Sequence, residues 1–392
     1  MKKKLIFISE ALWIGGIETA LVGLLNRLDY EKYDVTCLIL RDSQEMADRI
    51  TPRCRLLVAD RQHPVSFPQA YRYSRLYNLM EEPQTSSRLR RMIWKLLCLV
   101  LRAPEALLYS AYIRRQLRGE SFDTAIIYSD RTAETAIRAI RANRFLMFYH
   151  HGSMRRAYHD FYGYRRASKV IAVSEAQAEK LRAYRPSYAD KIIAINNIIE
   201  VDSVRQKARC APEILFPTDR INLVSCGRLA VEKGVDLAVD ACALLASQEL
   251  PPFHWWIVGG GPQEQALRRR AEEKGLGHCL TFLGMQSNPY PYIRQADLYV
   301  QPSRIEGHPL TILEAQVLGR PILATETDGS RGILSQNGAG MLCGISAEGI
   351  ADGVRELLTH PELRKKLADE AAAIDFEAQN EAILQALYRE IG

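Results

Sequence analysis

INLVSCGRLAVEKGVDLAVDACALLASQELPPFHWWIVGGGP, residues 221–262, carries the reading that decides the fold. The apolar run Ile221 to Ser225 has the length and composition of a strand buried on both faces. Gly227 turns the chain, a helical segment follows, and Phe253 to Val258 reads as a second buried strand closed by Gly259-Gly260-Gly261-Pro262. Strand, helix, strand at this spacing is a parallel βαβ unit.

Outward from this unit the same rhythm runs through most of the chain. Upstream, Lys4 to Ser9, Asp34 to Leu40, Arg55 to Val58, Thr124 to Tyr128, Phe145 to Tyr149, Lys169 to Val173 and Lys191 to Ile195 read as strands. Downstream, Leu280 to Leu283, Leu298 to Gln301, Ile322 to Thr325 and Gly340 to Cys343 do the same. The pattern loosens through Pro212 and Pro217, which predicts one α/β domain over 1–200 and another over 201–375. An amphipathic helix is expected at 376–392, which the family resemblance given below implies returns to the first domain, and a helical insertion at about 69–119 interrupts the first series. With 392 residues, 47% of them hydrophobic, the chain can bury two cores.

Composition narrows the function classes. The eight cysteines form no C-x-x-C pair, several sit inside apolar runs, and they read as reduced core thiols. Leu5 to Ile8 is too short an apolar run for a secretory leader, and Leu96 to Leu101 falls well short of the ~20 residues that span a bilayer. The expectation is a cytoplasmic protein, resting at most on the cytoplasmic face of a membrane. The net charge is +6, and between Arg72 and Arg118 ten Lys or Arg face three Glu, interleaved with apolar residues at helical spacing. Two readings stay open for 72–118: solvated helices packed on the first domain, or a surface for anionic lipid headgroups. No nucleic-acid module is visible, so nucleic acid is not an expected partner.

Several residues have the chemistry of an anion site. Gly227 lets the backbone turn, so that Arg228 and Lys233 can reach one anionic point from one loop. An arginine fork with a lysine point charge suits a nucleoside diphosphate. Pro309 suits the first turn of a helix whose following amides, at Leu310 and Thr311, would face an anion. Glu306 precedes that helix and Glu314 lies about one turn inside it, so both can face one cleft. Gly15 and Gly16 follow the first strand and open a helix, either approaching the diphosphate from the opposite wall or forming a packing turn. His150 and His151 follow the fifth strand, at the carboxyl end where α/β sheets present ligands. The histidines do not read as a metal site.

Taken in order, Cys226-Gly227-Arg228-Leu229, Glu232-Lys233-Gly234, Gly259-Gly260-Gly261-Pro262, Asn288-Pro289-Tyr290-Pro291-Tyr292, Pro302-Ser303-Arg304-Ile305-Glu306-Gly307 and Leu313-Glu314-Ala315 resemble the donor domain of the retaining family-four glycosyltransferases of the GT-B fold. Gly15-Gly16-Ile17-Glu18 and Val173-Ser174-Glu175 fit in the first half. The resemblance implies transfer from a UDP- or GDP-sugar to an acceptor hydroxyl with retention, without a metal or cofactor. It points to a glycan or lipid-linked glycan acceptor in cell-surface polysaccharide synthesis. It implies that Arg228 and Lys233 hold the diphosphate, that Glu306 sits by the sugar and diphosphate, and that Glu314 accepts hydrogen bonds from the ribose. His151, directly before Gly152, fits the sugar-contacting histidine better than His150. Gly260 would shape the cleft floor, the backbone at Met285 would lie by the base, and closure would hinge near Ile199. Gly15, Gly16, Gly227, Leu310 and Thr311 complete the donor-binding set.

Two positions depart from the family pattern: His308, where an aromatic is common and which would otherwise cap the helix, and Gly332, where a glutamate often stands. They leave the donor's sugar open. The competing readings are a nucleotide-sugar epimerase or glycosyl phosphorylase on a related frame, and a non-catalytic nucleotide-sugar-binding partner of a polysaccharide assembly complex.

Overall fold

The computed structural model describes residues 2–13, 15–41, 45–59, 109–129, 132–150 and 163–392. Seven strands form the first sheet: β1 (Lys3–Ser9), β2 (Tyr33–Ile39), β3 (Arg55–Val58), β4 (Ser121–Ile127), β5 (Arg141–Tyr149), β6 (Lys169–Ala172) and β7 (Ile192–Ala194), in spatial order β3-β2-β1-β4-β5-β6-β7. Six form the second: β8 (Ile221–Cys226), β9 (Phe253–Val258), β10 (Leu280–Gly284), β11 (Leu298–Gln301), β12 (Ile322–Thr325) and β13 (Met341–Cys343), ordered β10-β9-β8-β11-β12-β13. All pairings are parallel. The chain is an α/β protein of two facing Rossmann-like domains, the GT-B architecture.

Apolar runs mark the strands because parallel sheets are covered on both faces. Leu5, Ile6, Phe7 and Ile8 are all fully buried although successive side chains point to opposite faces. The expected strands are all present. The main boundary difference is at β5, which starts at Arg141 rather than Phe145, because its amino end alternates exposed and half-buried residues before entering the core. Most of the 69–119 insertion lies outside the described residues, as does the basic cluster Arg88, Arg90, Arg91 and Lys95. Its described end is helical over 109–116 and packs on the first sheet through Ile113 and Leu117, with the Tyr109 hydroxyl donating to the Leu40 carbonyl at 2.5 Å.

Beyond the first sheet the packing partner changes. The helix Val201–Ala208 belongs to the second domain: Asn288 donates to the Lys207 carbonyl at 2.9 Å. The final helix, Phe376–Ile391, returns to the first domain as anticipated. Its Tyr388 ring stacks on Tyr33 at 5.4 Å and its hydroxyl accepts from the Asp29 N–H at 2.9 Å. Glu377 takes a two-pronged bond from Arg27 at 2.7 and 2.8 Å. Lys180, in the helix Glu175–Tyr184, pairs across the domains with Asp328, which opens the helix Asp328–Asn337. Among the described residues no helix is long and apolar enough to cross a membrane. The seven described cysteines are free thiols, and Cys210 is exposed rather than buried in a core.

Candidate donor site in the second domain

Each sheet reverses its strand order once, between β1 and β4 and between β8 and β11. Open α/β sheets present ligands at the carboxyl ends of strands beside such a reversal. In the second domain the loop after β8 carries Gly227, Arg228 and Lys233, and the loop after β11 carries Glu306. The two loops are locked together by backbone. Gly234 has φ +62°, and a Cβ there would fall 2.0 Å from the Pro302 carbonyl oxygen. Gly259 has φ +142°, and a Cβ there would fall 1.9 Å from the Gly227 carbonyl oxygen. Both contacts exclude any side chain and draw the loops after β8, β9 and β11 into one surface.

That closeness brings Lys233 Nζ to 2.7 Å from Glu306 Oε1. The same oxygen accepts from Ser303 Oγ at 2.6 Å and from Gln301 Nε2 at 3.0 Å. Gln301 is itself held by the Tyr299 and Thr311 hydroxyls, which donate to its Oε1 at 2.8 and 3.0 Å. Glu306, 8% exposed, is therefore fixed through one oxygen, while Oε2 has no partner among the described residues. A buried carboxylate with one lobe bound and one open is preorganised to receive a hydrogen-bond donor.

Arg228 behaves differently from the expectation that it and Lys233 share one point. Its guanidinium pairs with Glu232 at 2.5 Å, and its side chain is 66% exposed. The i, i+4 spacing brings these two together locally. Lys233 is thus already at the cleft, whereas Arg228 must leave Glu232 to join it.

The helix Leu310–Val317 begins beside Glu306, with Pro309 as its N-cap and no side chain capping it. His308 does not take the capping role suggested for it. The amides of Leu310 and Thr311 lie in the uncapped first turn, where an anion is favoured. Glu314 is buried on this helix and accepts from the Tyr290 hydroxyl at 2.9 Å. Burial pushes its carboxyl up to about 7; the Tyr290 bond and the Lys207 charge pull the other way. Met285 follows β10 and is 76% exposed, and a Cβ on Gly260 would touch the Met285 Cβ at 3.3 Å. The expected set Gly227, Lys233, Gly260, Met285, Glu306, Leu310, Thr311 and Glu314 thus occupies the carboxyl edge of one sheet or the helix beside it.

In the first domain, Gly15 is the N-cap of the helix Gly16–Arg27, again without a side-chain cap. The Glu18 carboxylate folds over this turn: a Cβ added to Gly15 would lie 2.6 Å from its Oε2. Its carboxyl is raised to about 7, first by burial, then by the nearby Glu10 and Glu45 charges. His150 packs its ring on Tyr128 and Phe148, with centroids at 4.7 and 5.6 Å. His151 lies outside the described residues. Sequence reasoning left Glu18, Tyr290, Gln301 and Ser303 without roles. Glu18, Tyr290 and Ser303 stood inside quoted motifs, but nothing in the spacing showed what each would meet.

A cavity of about 550 Å³ lined by Phe216, Asp219, Arg220, Asn222, Pro252 and Arg364 lies at the amino ends of β8 and β9, the opposite edge of the sheet. It plays no part in this constellation.

Residues 14–203 match the family described as Glycosyltransferase Family 4, and residues 207–373 the family described as Glycosyl transferases group 1. The alpha-D-kanosaminyltransferase of Streptomyces kanamyceticus is 27% identical over 240 residues, 58% of this chain and 62% of that protein. The lipopolysaccharide core biosynthesis glycosyltransferase LpsE of Rhizobium meliloti is 27% identical over 154 residues, 39% of this chain and 44% of that one. The matched segments therefore span less than two thirds of these relatives' own lengths. The solved structure of Anabaena Alr3699/HepE in complex with UDP and glucose has a TM-score of 0.69 at 16% identity, covering 99% of this chain and 100% of that one. At that identity the likeness is one of fold.

Proposed function

Because this chain belongs to the GT-B glycosyltransferases, a family 4 domain followed by a group 1 domain, we propose that it moves a glycosyl group from a nucleoside-diphosphate sugar to an acceptor hydroxyl with retention of configuration. The observation that carries this reading is the Lys233–Glu306 pair at the second sheet's reversal point, beside an uncapped helix end. A lysine, two free amides and a half-open carboxylate suit a diphosphate bonded to a sugar better than any neutral ligand.

In this reading the bond between the anomeric carbon and the diphosphate oxygen breaks, and the anomeric carbon bonds to the acceptor oxygen. The acceptor proton passes to the departing diphosphate. Negative charge grows on the leaving oxygen, where Lys233, Arg228 released from Glu232, and the Leu310 and Thr311 amides stabilise it. Glu314 accepts from the ribose hydroxyls, the backbone at Met285 lies by a uracil or guanine, and Gly15 and Gly16 close the opposite wall. His151 reaches the transferring sugar. The mechanism calls for no metal or cofactor. A glycan or lipid-linked glycan acceptor in cell-surface polysaccharide synthesis accords with LpsE among the relatives. The basic stretch 72–118 would then rest on the anionic membrane holding that acceptor.

Incubation with a panel of UDP- and GDP-hexoses, with and without lipid-linked glycan acceptors, tests the proposal. Acceptor-dependent release of nucleoside diphosphate with a new glycoside supports it. An epimerised donor or a free sugar phosphate in place of the glycoside would overturn it.

A further inference from the structure

Lys233 and Glu306 stand on different loops, and each is fixed within its own. Glu306 is held by Ser303 and Gln301 at 2.6 and 3.0 Å. Lys233 ends the short turn Val231–Lys233, just ahead of Gly234 and the helix Val235–Ala246. The Gly234–Pro302 abutment brings the two loops together, but contact at one point leaves one loop free to turn on the other. Holding Lys233 Nζ at 2.7 Å from Glu306 Oε1 needs that freedom removed.

Arg304, two residues before Glu306, removes it. Its guanidinium forks onto Asp236 in the first turn of the helix Val235–Ala246, with Nη1 to Oδ1 and Nη2 to Oδ2 both at 2.6 Å. Nη1 also donates to the Val231 carbonyl at 3.1 Å. The Arg304 and Ile305 N–H groups both donate to the Glu232 carbonyl, at 2.9 and 3.3 Å. One residue of the Glu306 loop thus brackets residues 231–236, with Lys233 in the middle. A planar fork fixes direction as well as distance, which a point charge cannot do.

Energetics separate this role from ordinary stabilisation. The Arg304 and Asp236 side chains are 31% and 29% exposed, and ion pairs at such sites add little to stability. A misplacement of about 1 Å at a reacting group, by contrast, can cost on the order of a hundredfold in rate. We propose that Arg304, acting through Asp236, is a positioning residue that holds Lys233 against Glu306 in the arrangement transfer requires. The clamp does not depend on what the site binds, while its effect on rate rests on the proposed function. The same helix carries a matched control: Asp240, one turn on, takes a fork from Arg270 at 2.8 and 2.6 Å, which joins it to the helix Glu264–Glu273 instead of to the loop after β11.

Two measurements on the full chain test this, using Arg304→Ala, Arg304→Lys, Asp236→Asn, the double variant Arg304→Ala/Asp236→Asn, and Asp240→Asn. The first needs no donor: competitive acylation by acetic anhydride, read by mass spectrometry of the Lys233 peptide. A lysine bonded to a carboxylate acylates slowly, because the bond must break before the nitrogen lone pair is free. Arg304→Ala and Asp236→Asn should each speed Lys233 acylation about threefold or more, and Asp240→Asn should change it by less than about twofold. The second is steady-state transfer. Arg304→Ala should lower turnover by about ten- to a hundredfold, with UDP or GDP affinity within about threefold and a thermal midpoint within about 3 °C of wild type. Arg304→Lys should recover part of the rate, and the double variant should be no slower than Arg304→Ala, since the pair acts as a unit. Unchanged Lys233 acylation in both Arg304→Ala and Asp236→Asn would overturn the clamp, whether or not any sugar is transferred. Faster acylation with full turnover in Arg304→Ala, or an equal rate loss in Asp240→Asn, would overturn its part in transfer, as would a midpoint lowered by more than about 10 °C in both single variants, which would mark a purely structural tie. A wild type that transfers no sugar would remove the proposed function and leave the clamp to be decided by acylation.

Discussion

The side-chain amide of Asn380 holds both backbone groups of Ile199: its Oδ1 accepts from the Ile199 N–H at 3.1 Å, and its Nδ2 donates to the Ile199 carbonyl at 2.8 Å. Asn380 is fully buried and sits in the final helix, 181 residues away in sequence. The exit from the first domain is thereby tied to the re-entry into it.

Asn380→Leu should therefore be costly. It leaves two backbone groups buried without partners, at ~1–3 kcal/mol each. A thermal midpoint lower by roughly 5–15 °C is expected. A midpoint within about 1 °C of wild type would show that water replaces the amide at no cost.

Lys233 and Arg228 should differ in rate effect because only one is in place before the donor arrives. Lys233→Ala is expected to lower turnover on the order of a hundred- to a thousandfold, with a smaller loss of nucleoside diphosphate affinity. Arg228→Ala should also lower turnover, and Arg228→Lys should restore only part of it for want of the fork. Near-normal transfer by both alanine variants would end the mechanism proposed here.

Under the proposed function, Glu232 would compete with the diphosphate for Arg228, with which it pairs. An exposed pair of this kind contributes at most about 1 kcal/mol, so Glu232→Gln should tighten UDP or GDP binding by no more than about fivefold. Equilibrium titration at low salt checks this. Weaker binding would mean that Glu232 orients Arg228 for the ligand instead of occupying it.

Gly234→Ala should act on Lys233 without touching its charge. The added methyl would meet the Pro302 carbonyl oxygen at 2.0 Å and would impose a side chain on a left-handed residue. The loops after β8 and β11 must separate, parting Lys233 from Glu306. Turnover should fall by about tenfold or more even where the variant remains folded by circular dichroism.

Glu314 predicts a pH dependence of stability. Its carboxyl stands at about 7 in the folded chain against an ordinary 4.5. Between those values the folded protein keeps a proton that the unfolded chain has released. Its contribution is full below about pH 4.5 and is lost as pH rises through about 7. Glu18 shifts in the same direction over the same window, so Glu314→Gln should remove only part of the decline. Glu314→Gln is expected to gain on the order of 1–3 kcal/mol relative to wild type between pH 5 and pH 8, read by denaturant titration at each pH. Parallel curves would place the charged carboxylate in a better-solvated site than its burial indicates.

The strands were legible because parallel strands covered on both faces appear as unbroken apolar runs, as at Leu5 to Ile8 and Phe253 to Val258. The helix beginning at Phe376 was legible from its amphipathic spacing, its return to the first domain only from the family resemblance. The clustering of the candidate site residues at one sheet edge could be read because charged residues follow strand ends at the glycine turns. Their pairing could not: Lys233 and Glu306 are 73 residues apart, and only the abutment of Gly234 on Pro302 brings them together. The pairing of Arg228 with Glu232 is written in their i, i+4 spacing, but a local contact was outweighed there by the expectation of a shared anion. The His308 Nδ1, buried without a hydrogen-bond partner among the described residues, depends on what fails to surround it, which no spacing encodes.

The chain crosses between the domains near Ile199 and again ahead of Phe376, and Asn380 makes those crossings neighbours. If the domains close as the proposed function requires, two leaves sharing one pin would swing about a single axis, and the width of the gap between them would reduce to one variable. The Lys180–Asp328 pair acts across that gap as a latch on partly exposed side chains, and salt weakens such a latch. Ionic strength should then set the resting aperture, with the pin itself unaffected.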